Sequence, residues 1–338
     1  MNIYDIAEKC GVSIATVSRV LNNNPNVSAA TRAKIQAVID EANYTPSAIA
    51  RNLGNGAEAV SAAPATAAPT VGVLCSDIRD PYCANILSAL VEQMKDSDVD
   101  LLLGQSGDTP ESEKAALTRM LAHPVIAVMY IGPNHYDNPT DAPLATAAAQ
   151  VPVILLDGYV EAPNIYGIIG DQPAAVTEIV AGLLRRQRRR ILLLHSRVTH
   201  SCREKIRGYQ QAYAAAGLEV DPALIVEVGN RPEDINTTIK QLLVKRVTFD
   251  AIIGTEDMVA LGAQKALQRT GLSMPVVGFH NTLIASCSTP ALTSVECDPA
   301  AMAAAAVTAL EDLQAGRAPR TLTVIPTKLV ERDTYRNA

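Results

Sequence analysis

From Val71 onward, short apolar runs alternate with amphipathic stretches, and this pattern limits the possible folds of the chain more than any other feature of the sequence. A first series of runs starts at Val71 (VGVLCS), Val99 (VDLLLGQS), Val125 (VIAVMYIG) and Val151 (VPVILLD). A second series starts at Tyr166 (YGIIG), Ile191 (ILLLH), Ala251 (AIIGT) and Val276 (VVGF). Amphipathic stretches occupy 82–96, 172–186, 201–216, 232–245 and 257–270. Apolar strands that alternate with helices are typical of parallel sheets covered on both faces, so we expect two doubly wound α/β lobes.

The chain has 338 residues, which is too many for one ordinary core. Residues 3–53 have the pattern of short helices separated by tight turns. Residues 54–70 have linker composition, because they are rich in Ala, Pro and Gly and contain no Lys or Arg. Ligands of open α/β sheets bind at the carboxyl ends of the strands, so we expect a ligand site in the cleft between the lobes.

The net charge of −6 excludes a protein that is basic over its whole surface. Any contact with nucleic acid must therefore come from a local surface. Residues 1–56 carry five basic and four acidic side chains, so the rest of the chain is the more acidic part. The most concentrated basic run is RRQRRR at 185–190. We interpret it as the basic end of a helix rather than as a nucleic-acid patch.

Several classes of protein are excluded by what the sequence lacks. No apolar run reaches ~18 residues and no signal segment opens the chain, so a cytoplasmic protein without membrane segments is expected. The cysteines show no metal-ligand spacing and are expected to be free thiols; they are Cys10, Cys75, Cys83, Cys202, Cys287 and Cys297. With no glycine-rich nucleotide loop, nucleophile elbow or histidine metal spacing, neither an enzyme nor a cofactor is expected.

The segment IYDIAEKCGVSIATVSRVLNN has the spacing of a helix-turn-helix. Gly11 lies at the turn, where a permissive backbone is needed. Ser13 can cap the second helix, in which Val17 and Val20 face inward. Ser28 can cap a third helix.

The string GVSIATVSRVLNNNPNVSAATRAKI, followed by NYTPSAIARNL, resembles the DNA-binding headpiece of the LacI/GalR family of bacterial repressors. The resemblance implies that the second helix enters the major groove of operator DNA. Ile14 and Ala15 can read only apolar features such as a thymine methyl, whereas Arg19 can contact guanine. Other headpiece residues are expected at or near the phosphates, and they are Tyr4, Ser13, Thr16, Ser18, Asn22 and Thr31.

Residues 47–53 (SAIARNL) are similar to the hinge helix of the family. The resemblance implies that Leu53 is inserted into the minor groove and bends the duplex. The implied domains are a headpiece at 1–46, a hinge helix at 47–53, a linker at 54–70 and an effector domain at 71–332. Within the effector domain, one lobe takes about 71–169 and 297–324, and the other about 170–296 and 325–332.

Family resemblance continues through SDIRDPYCANIL, REKIRGYQQAYAAAGL, EDMVALGAQKAL and PVVGFHN. It implies a transcriptional repressor whose two-lobed, periplasmic-binding-protein-like domain binds a small effector. The effector residues that it implies are Asp77, Arg79, Tyr82, Asp157, Arg203, Glu256 and His280. The family commonly has Asn-Asp where this chain has Glu256-Asp257, and Asp-Asp where it has His280-Asn281. The effector therefore stays open among a sugar, a sugar acid and a sugar phosphate.

Two-fold operator half-sites require a two-fold protein, so a homodimer on double-stranded operator DNA is expected. One alternative is a family member that is gated by a phosphocarrier protein instead of a sugar. Two less favoured alternatives are a solute-binding transport protein and a doubly wound enzyme.

Overall fold

The computed structural model describes residues 9–13, 16–17, 20, 27–41, 68–132, 143–196, 198–229 and 231–336. The chain divides into two compact units, 1–67 and 68–338. Among the residues described, no helix is both long enough and apolar enough to cross a bilayer.

The first unit has a small apolar core. Val17, Val20 and Ile35 are buried together, and Ile35 lies on helix α1 (Ala29–Glu41). Gly11 has a φ of 64°, a left-handed conformation, which agrees with the permissive backbone expected at the turn. The inward direction of the two valines, predicted from their spacing, is confirmed.

The second unit consists of two lobes, each built on a six-stranded sheet. Lobe 1 contains β1 (Thr70–Cys75), β2 (Asp100–Gln105), β3 (Val125–Ile131), β4 (Val153–Leu156), β5 (Ile165–Gly170) and β11 (Leu322–Ile325). Its strands lie in the order β11-β5-β4-β3-β1-β2, and all of them are parallel. Its helices are α2 (Pro81–Met94), α3 (Pro110–Leu121), α4 (Pro143–Ala148) and α10 (Pro299–Gln314).

Lobe 2 contains β6 (Ile191–His195), β7 (Ile225–Glu227), β8 (Ala251–Gly254), β9 (Val276–Phe279), β10 (Thr293–Cys297) and β12 (Thr327–Val330). Their order is β12-β10-β9-β8-β6-β7. Its α-helices are α5 (Gln172–Arg185), α6 (His200–Ala215), α7 (Pro232–Val244), α8 (Asp257–Thr270), α9 (Leu283–Cys287) and α11 (Asp333–Arg336). A 3₁₀ turn at Pro222–Leu224 precedes β7.

The prediction of two doubly wound lobes is confirmed, with two corrections. The strand that begins near Tyr166 was grouped with the second series, but it pairs with β4 in the first sheet. One strand of the second sheet, β12, is antiparallel to its neighbour β10. The reason is that β12 comes directly after β11, so the chain enters the second sheet from the first without an intervening helix.

Three crossings connect the lobes. The chain passes from β5 to α5 near Asp171, returns from β10 to α10 near Asp298, and crosses again at Pro326 between β11 and β12. Two crossings are hydrogen-bonded side by side, because the amide of Asp171 donates to the Ile325 carbonyl at 3.0 Å and the Thr327 hydroxyl donates to the Asp171 carbonyl at 3.2 Å. Paired short crossings of this kind are suited to act as a hinge.

Helix starts in lobe 1 are fixed by capping residues and prolines. Asp80 accepts the backbone N–H groups of Tyr82 and Cys83, and Pro81 occupies the first helical position of α2. Such caps satisfy amides that would otherwise have no partner, and proline is pre-organised for this position. Because α2 starts directly beyond the carboxyl end of β1, this cap also holds Tyr82 at the edge that faces lobe 2.

Candidate functional site

A small cavity lies between the two lobes at the carboxyl ends of their strands. Its volume is about 40 Å³, measured as the space open to the centres of water molecules. That is room for about three waters. The lining residues come from both lobes and are Ser76, Asp80, Tyr82, Cys83, Gly132, Asp157, Thr199, Ser201, Cys202, Lys205, Thr255, Glu256 and His280.

Aromatic contacts join the lobes across the cleft. The Tyr82 ring of lobe 1 stacks on the His280 ring of lobe 2, with centroids 3.8 Å apart and an interplanar angle of 13°. Tyr159 of lobe 1 meets His200 of lobe 2 edge to face, at 6.3 Å. These contacts join the two lobes across the cleft, and the space between them is smaller than a hexose.

Lys205 supplies the positive charge of the cavity. Its side chain comes from α6, is 2% exposed, and donates from Nζ to the Thr255 carbonyl at 2.9 Å. Nζ also lies 3.3 Å from Nε2 of His280 and 4.6 Å from the centroid of the Phe279 ring. An ammonium group only donates, so Nε2 must accept and the neutral imidazole carries its proton on Nδ1. Burial and the charge of Lys205 hold the pKa of His280 well below 6.5.

Asp157 brings an acidic group from lobe 1 to the same cavity. Burial raises its pKa, whereas the positive charge of Lys205 and the polar groups of Ser201, Tyr82 and Gln172 counteract that rise. Among the described residues, Oδ1 of Asp157 and Oγ of Ser201 are buried without a hydrogen-bond partner. Buried polar atoms are normally hydrogen-bonded, so these two are candidates to bind the hydroxyl groups of a ligand.

Glu256 and Asp257 are adjacent but have different roles. Glu256 lines the cavity and accepts the Ser196 hydroxyl at 3.0 Å. Asp257 is buried beneath it, where it accepts the Thr282 amide at 2.7 Å and the Ser294 hydroxyl at 2.5 Å. Glu256 occupies the N-cap position of α8 but makes no capping hydrogen bond with its side chain.

Two cavity residues adopt left-handed backbone conformations although neither is glycine. Asp157 has a φ of 61° and His280 a φ of 92°. Such conformations cost free energy in residues with a Cβ and concentrate at functional sites. Asp157 directly follows β4 and His280 directly follows β9, so both turns aim a polar side chain into the cleft.

The chemistry of the cavity is that of binding. Burial raises the pKa of the Cys202 thiol to about 11 and that of Cys83 to about 12, so neither forms a thiolate near neutral pH. No cluster of metal-ligating side chains occurs in the part of the chain that the structure describes.

Four of the seven effector residues predicted from the sequence meet at the cavity: Tyr82, Asp157, Glu256 and His280. The other three, Asp77, Arg79 and Arg203, are not among its lining residues. Arg79 has a side chain that is 85% exposed and forms an ion pair with Asp77 at 2.8 Å.

Sequence reasoning missed Lys205, although the helix carries a signal for it. The buried residues Ser201, Lys205, Gly208 and Tyr209 are spaced three or four apart or adjacent, which defines one face of α6. Arg203 lies off that face. The periodicity of the helix therefore favours Lys205 as the cation that points into the cleft.

Most residues predicted to contact DNA lie outside the described part of the chain, namely Tyr4, Ile14, Ala15, Ser18, Arg19, Asn22 and Leu53. Ser13 and Thr16 are described: the Ser13 hydroxyl accepts the Thr16 amide at 3.3 Å, as expected of a cap. Thr31 lies in the first turn of α1, where its amide donates to the Ser28 hydroxyl at 3.2 Å.

Comparison with known proteins decides the family. The model for bacterial regulatory proteins of the lacI family matches residues 2–47, and the model for periplasmic binding proteins and the sugar binding domain of the LacI family matches residues 68–314. The chain belongs to the LacI family. An HTH-type transcriptional regulator of Lachnoclostridium phytofermentans is 32% identical over 340 residues, which cover 99% of each chain. Catabolite control protein A of Priestia megaterium is 29% identical over 87% of each chain.

Solved structures agree with this assignment. A structure of the Lac repressor is 25% identical, covers 99% of this chain and 98% of its own, and has a TM-score of 0.71. A second Lac repressor structure is 26% identical over 99% of each chain, with a TM-score of 0.72. This LacI-family chain is thus a DNA-binding transcriptional regulator and not an enzyme.

Proposed function

We propose that the chain binds a palindromic operator as a homodimer, and that a sugar or sugar derivative between its lobes changes its affinity for that operator. The observation that carries the proposal is the cavity itself, which collects buried polar groups from both lobes at the strand ends. A ligand that contacts both lobes alters the angle between them. If operator binding also depends on that angle, the two binding equilibria are coupled.

Two structures of one relative, the Lac repressor, support the operator and effector parts. The Lac repressor structure that is 25% identical to this chain is a dimer bound to operator and to the anti-inducer ONPF. The 26% identical structure is bound to ONPG in the repressed state. By this analogy we assign base reading to Arg19, Ile14 and Ala15. The remaining proposed DNA contacts are Tyr4, Ser13, Thr16, Ser18, Asn22, Thr31 and Leu53.

The roles proposed for the cavity residues follow from their chemistry. Asp157 and Glu256 accept hydroxyl groups, and Lys205 donates to a ring oxygen, a carboxylate or a phosphate. Tyr82 packs its ring on the C–H face of a sugar once it is released from His280. Because the cavity is smaller than a hexose, we infer that the ligand binds as the lobes open and acts by stabilising the open form.

The experiment begins with selection of a palindromic duplex from random DNA by the full-length protein. The selected duplex is then titrated, with fluorescence anisotropy as the readout, against hexoses, sugar acids and sugar phosphates. We expect one class to change operator affinity at least tenfold. Lys205→Met is expected to abolish that response while operator affinity without ligand stays the same.

The matched control is Arg207→Gln, which removes a positive charge from the same helix. Arg207 is exposed and forms an ion pair with Glu204 on the surface. The change in operator affinity that ligand causes in Arg207→Gln should therefore equal that of the parent. If Lys205→Met disrupts folding, Glu256→Gln replaces it as the cavity variant. A full ligand response in both cavity variants would contradict the proposed site.

A further inference from the structure

A basic face lies on lobe 2 at the edge opposite the cavity. We define the distal basic face as the turn of residues 185–190 together with Lys245 and Arg246. Both segments precede strands, since β6 begins directly after Arg190 and β8 begins five residues after Arg246, whereas the cavity lies at the carboxyl ends. The chain that follows Arg246 is bonded to the turn, because the Asp250 carboxylate accepts the Arg189 amide at 2.8 Å and the Arg190 amide at 3.0 Å.

The fold accounts for several of these basic side chains. Arg185 lies in the last turn of α5 and Lys245 at the C-cap of α7, where positive charge complements the helix dipole. The Arg186 guanidinium lies 4.1 Å from the centroid of the Tyr335 ring. Arg190 forms an ion pair with Asp221 at 2.9 Å.

Three arginines have no such explanation. Among the described residues, the guanidinium groups of Arg188, Arg189 and Arg246 make no hydrogen bond or ion pair. Arg189 and Arg246 are exposed. Arg246 also has a φ of 59°, a left-handed position after a helix that favours glycine. An arginine there lowers stability relative to glycine, so the folded chain alone gives no reason for it.

The charges of this face point to a polyanion. The face gathers seven basic side chains of a chain whose net charge is −6. Its neighbouring carboxylates, Asp221 and Asp250, are already bound to Arg190 and to backbone amides. Exposed guanidinium groups have the fork of donors that binds phosphate oxygens in pairs.

We propose that the distal basic face binds the phosphate backbone of a second DNA duplex, without regard to sequence and separately from the headpiece. A protein partner is disfavoured because protein interfaces are centred on apolar and aromatic anchors. Among the exposed large apolar residues of the described chain, only Val244 adjoins the face in sequence.

The test uses full-length protein whose headpieces are saturated with operator duplex. A labelled duplex of unrelated sequence is then added, and the ternary complex is measured by energy transfer between the two duplexes at several salt concentrations. The variant is the triple Arg188→Gln, Arg189→Gln, Arg246→Gln. The control removes the same charge at exposed arginines elsewhere, through Arg119→Gln, Arg231→Gln and Arg320→Gln.

The parent is expected to form the ternary complex. The triple variant should lose at least tenfold in affinity at low salt, and its slope of log affinity against log salt should fall by about 2.7, because each phosphate contact contributes about 0.9. The control should match the parent within about twofold.

The proposal is overturned if the parent binds no second duplex at low salt, if the triple variant matches the parent, or if the control loses as much. Capture of polyglutamate in place of duplex would also overturn it. If no operator is found, the function proposed above fails, and the variants are compared on total duplex binding, so this inference is still tested.

Discussion

Glu113 offers a quantitative test of the lobe 1 core. This α3 residue is fully buried, and both of its carboxylate oxygens lack a hydrogen-bond partner among the described residues. Burial raises its pKa from 4.5 to about 8, although the nearby Tyr130 hydroxyl opposes that rise. Between these pH values the folded state therefore binds a proton that the unfolded state has released, so stability falls as pH rises through this window.

The magnitude follows from the shift in pKa. Linkage gives about 1.4 kcal/mol per pH unit inside the window. The contribution of Glu113 to the free energy of unfolding therefore falls by ~2.5 kcal/mol between pH 5 and pH 7. Glu113→Gln keeps the shape and removes the titration. We therefore expect the variant to gain ~2.5 kcal/mol relative to the parent over the same interval, whatever its offset at pH 5.

Urea denaturation at pH 5, 6 and 7 measures this gain directly. Glu111→Gln is the control, because Glu111 lies in the same first turn of α3 and is exposed. The control should keep the pH dependence of the parent. Parallel pH profiles for the parent and Glu113→Gln would refute the reasoning, because they would mean that Glu113 is ionised in the folded protein at neutral pH.

Three further predictions concern lobe 2. Asp257→Asn should lower the free energy of unfolding by ~2–4 kcal/mol in urea, because one amide oxygen cannot serve both groups of Thr282 and the Ser294 hydroxyl; a loss below ~0.5 kcal/mol would contradict this. The His280 imidazole should show no NMR titration between about pH 6 and 8, since its pKa lies well below 6.5; a midpoint near that value would contradict its burial. Gly208→Ala should lower the melting temperature, because the added Cβ would lie 2.7 Å from the backbone of α5; an unchanged melting temperature would show that α5 moves freely.

The sequence was most informative where burial dictates residue type. The runs at Val71, Ile191 and Ala251 are buried along their length, so apolar continuity alone located their strands. Strand β10 (TSVEC) was not predicted by that criterion, because two of its buried residues, Thr293 and Ser294, are polar. Their hydroxyls are satisfied by distant groups, the Arg332 carbonyl and Asp257, that no local pattern reveals.

The site was only partly predictable for a similar reason. Tyr82 and Asp157 were predicted from family resemblance, but the stacking of Tyr82 on His280 and the influence of Lys205 on Asp157 depend on how the lobes meet. Arg203 was chosen because its motif contains an arginine, whereas the buried face of α6 presents Lys205. Arg203 and Lys205 are two residues apart, and side chains at that separation on a helix point more than half a turn away from each other. Only one of the two can therefore point into the cleft.

Reciprocal coupling between cleft and operator tests the account most directly. Calorimetry of the effector with full-length protein, in the absence and presence of saturating selected operator, gives two effector affinities. We expect them to differ by about five- to 150-fold, and their ratio to equal the change which the effector makes in operator affinity. Equal effector affinities would mean that the operator is bound equally well in both lobe arrangements. That result would show that the cleft does not control DNA binding.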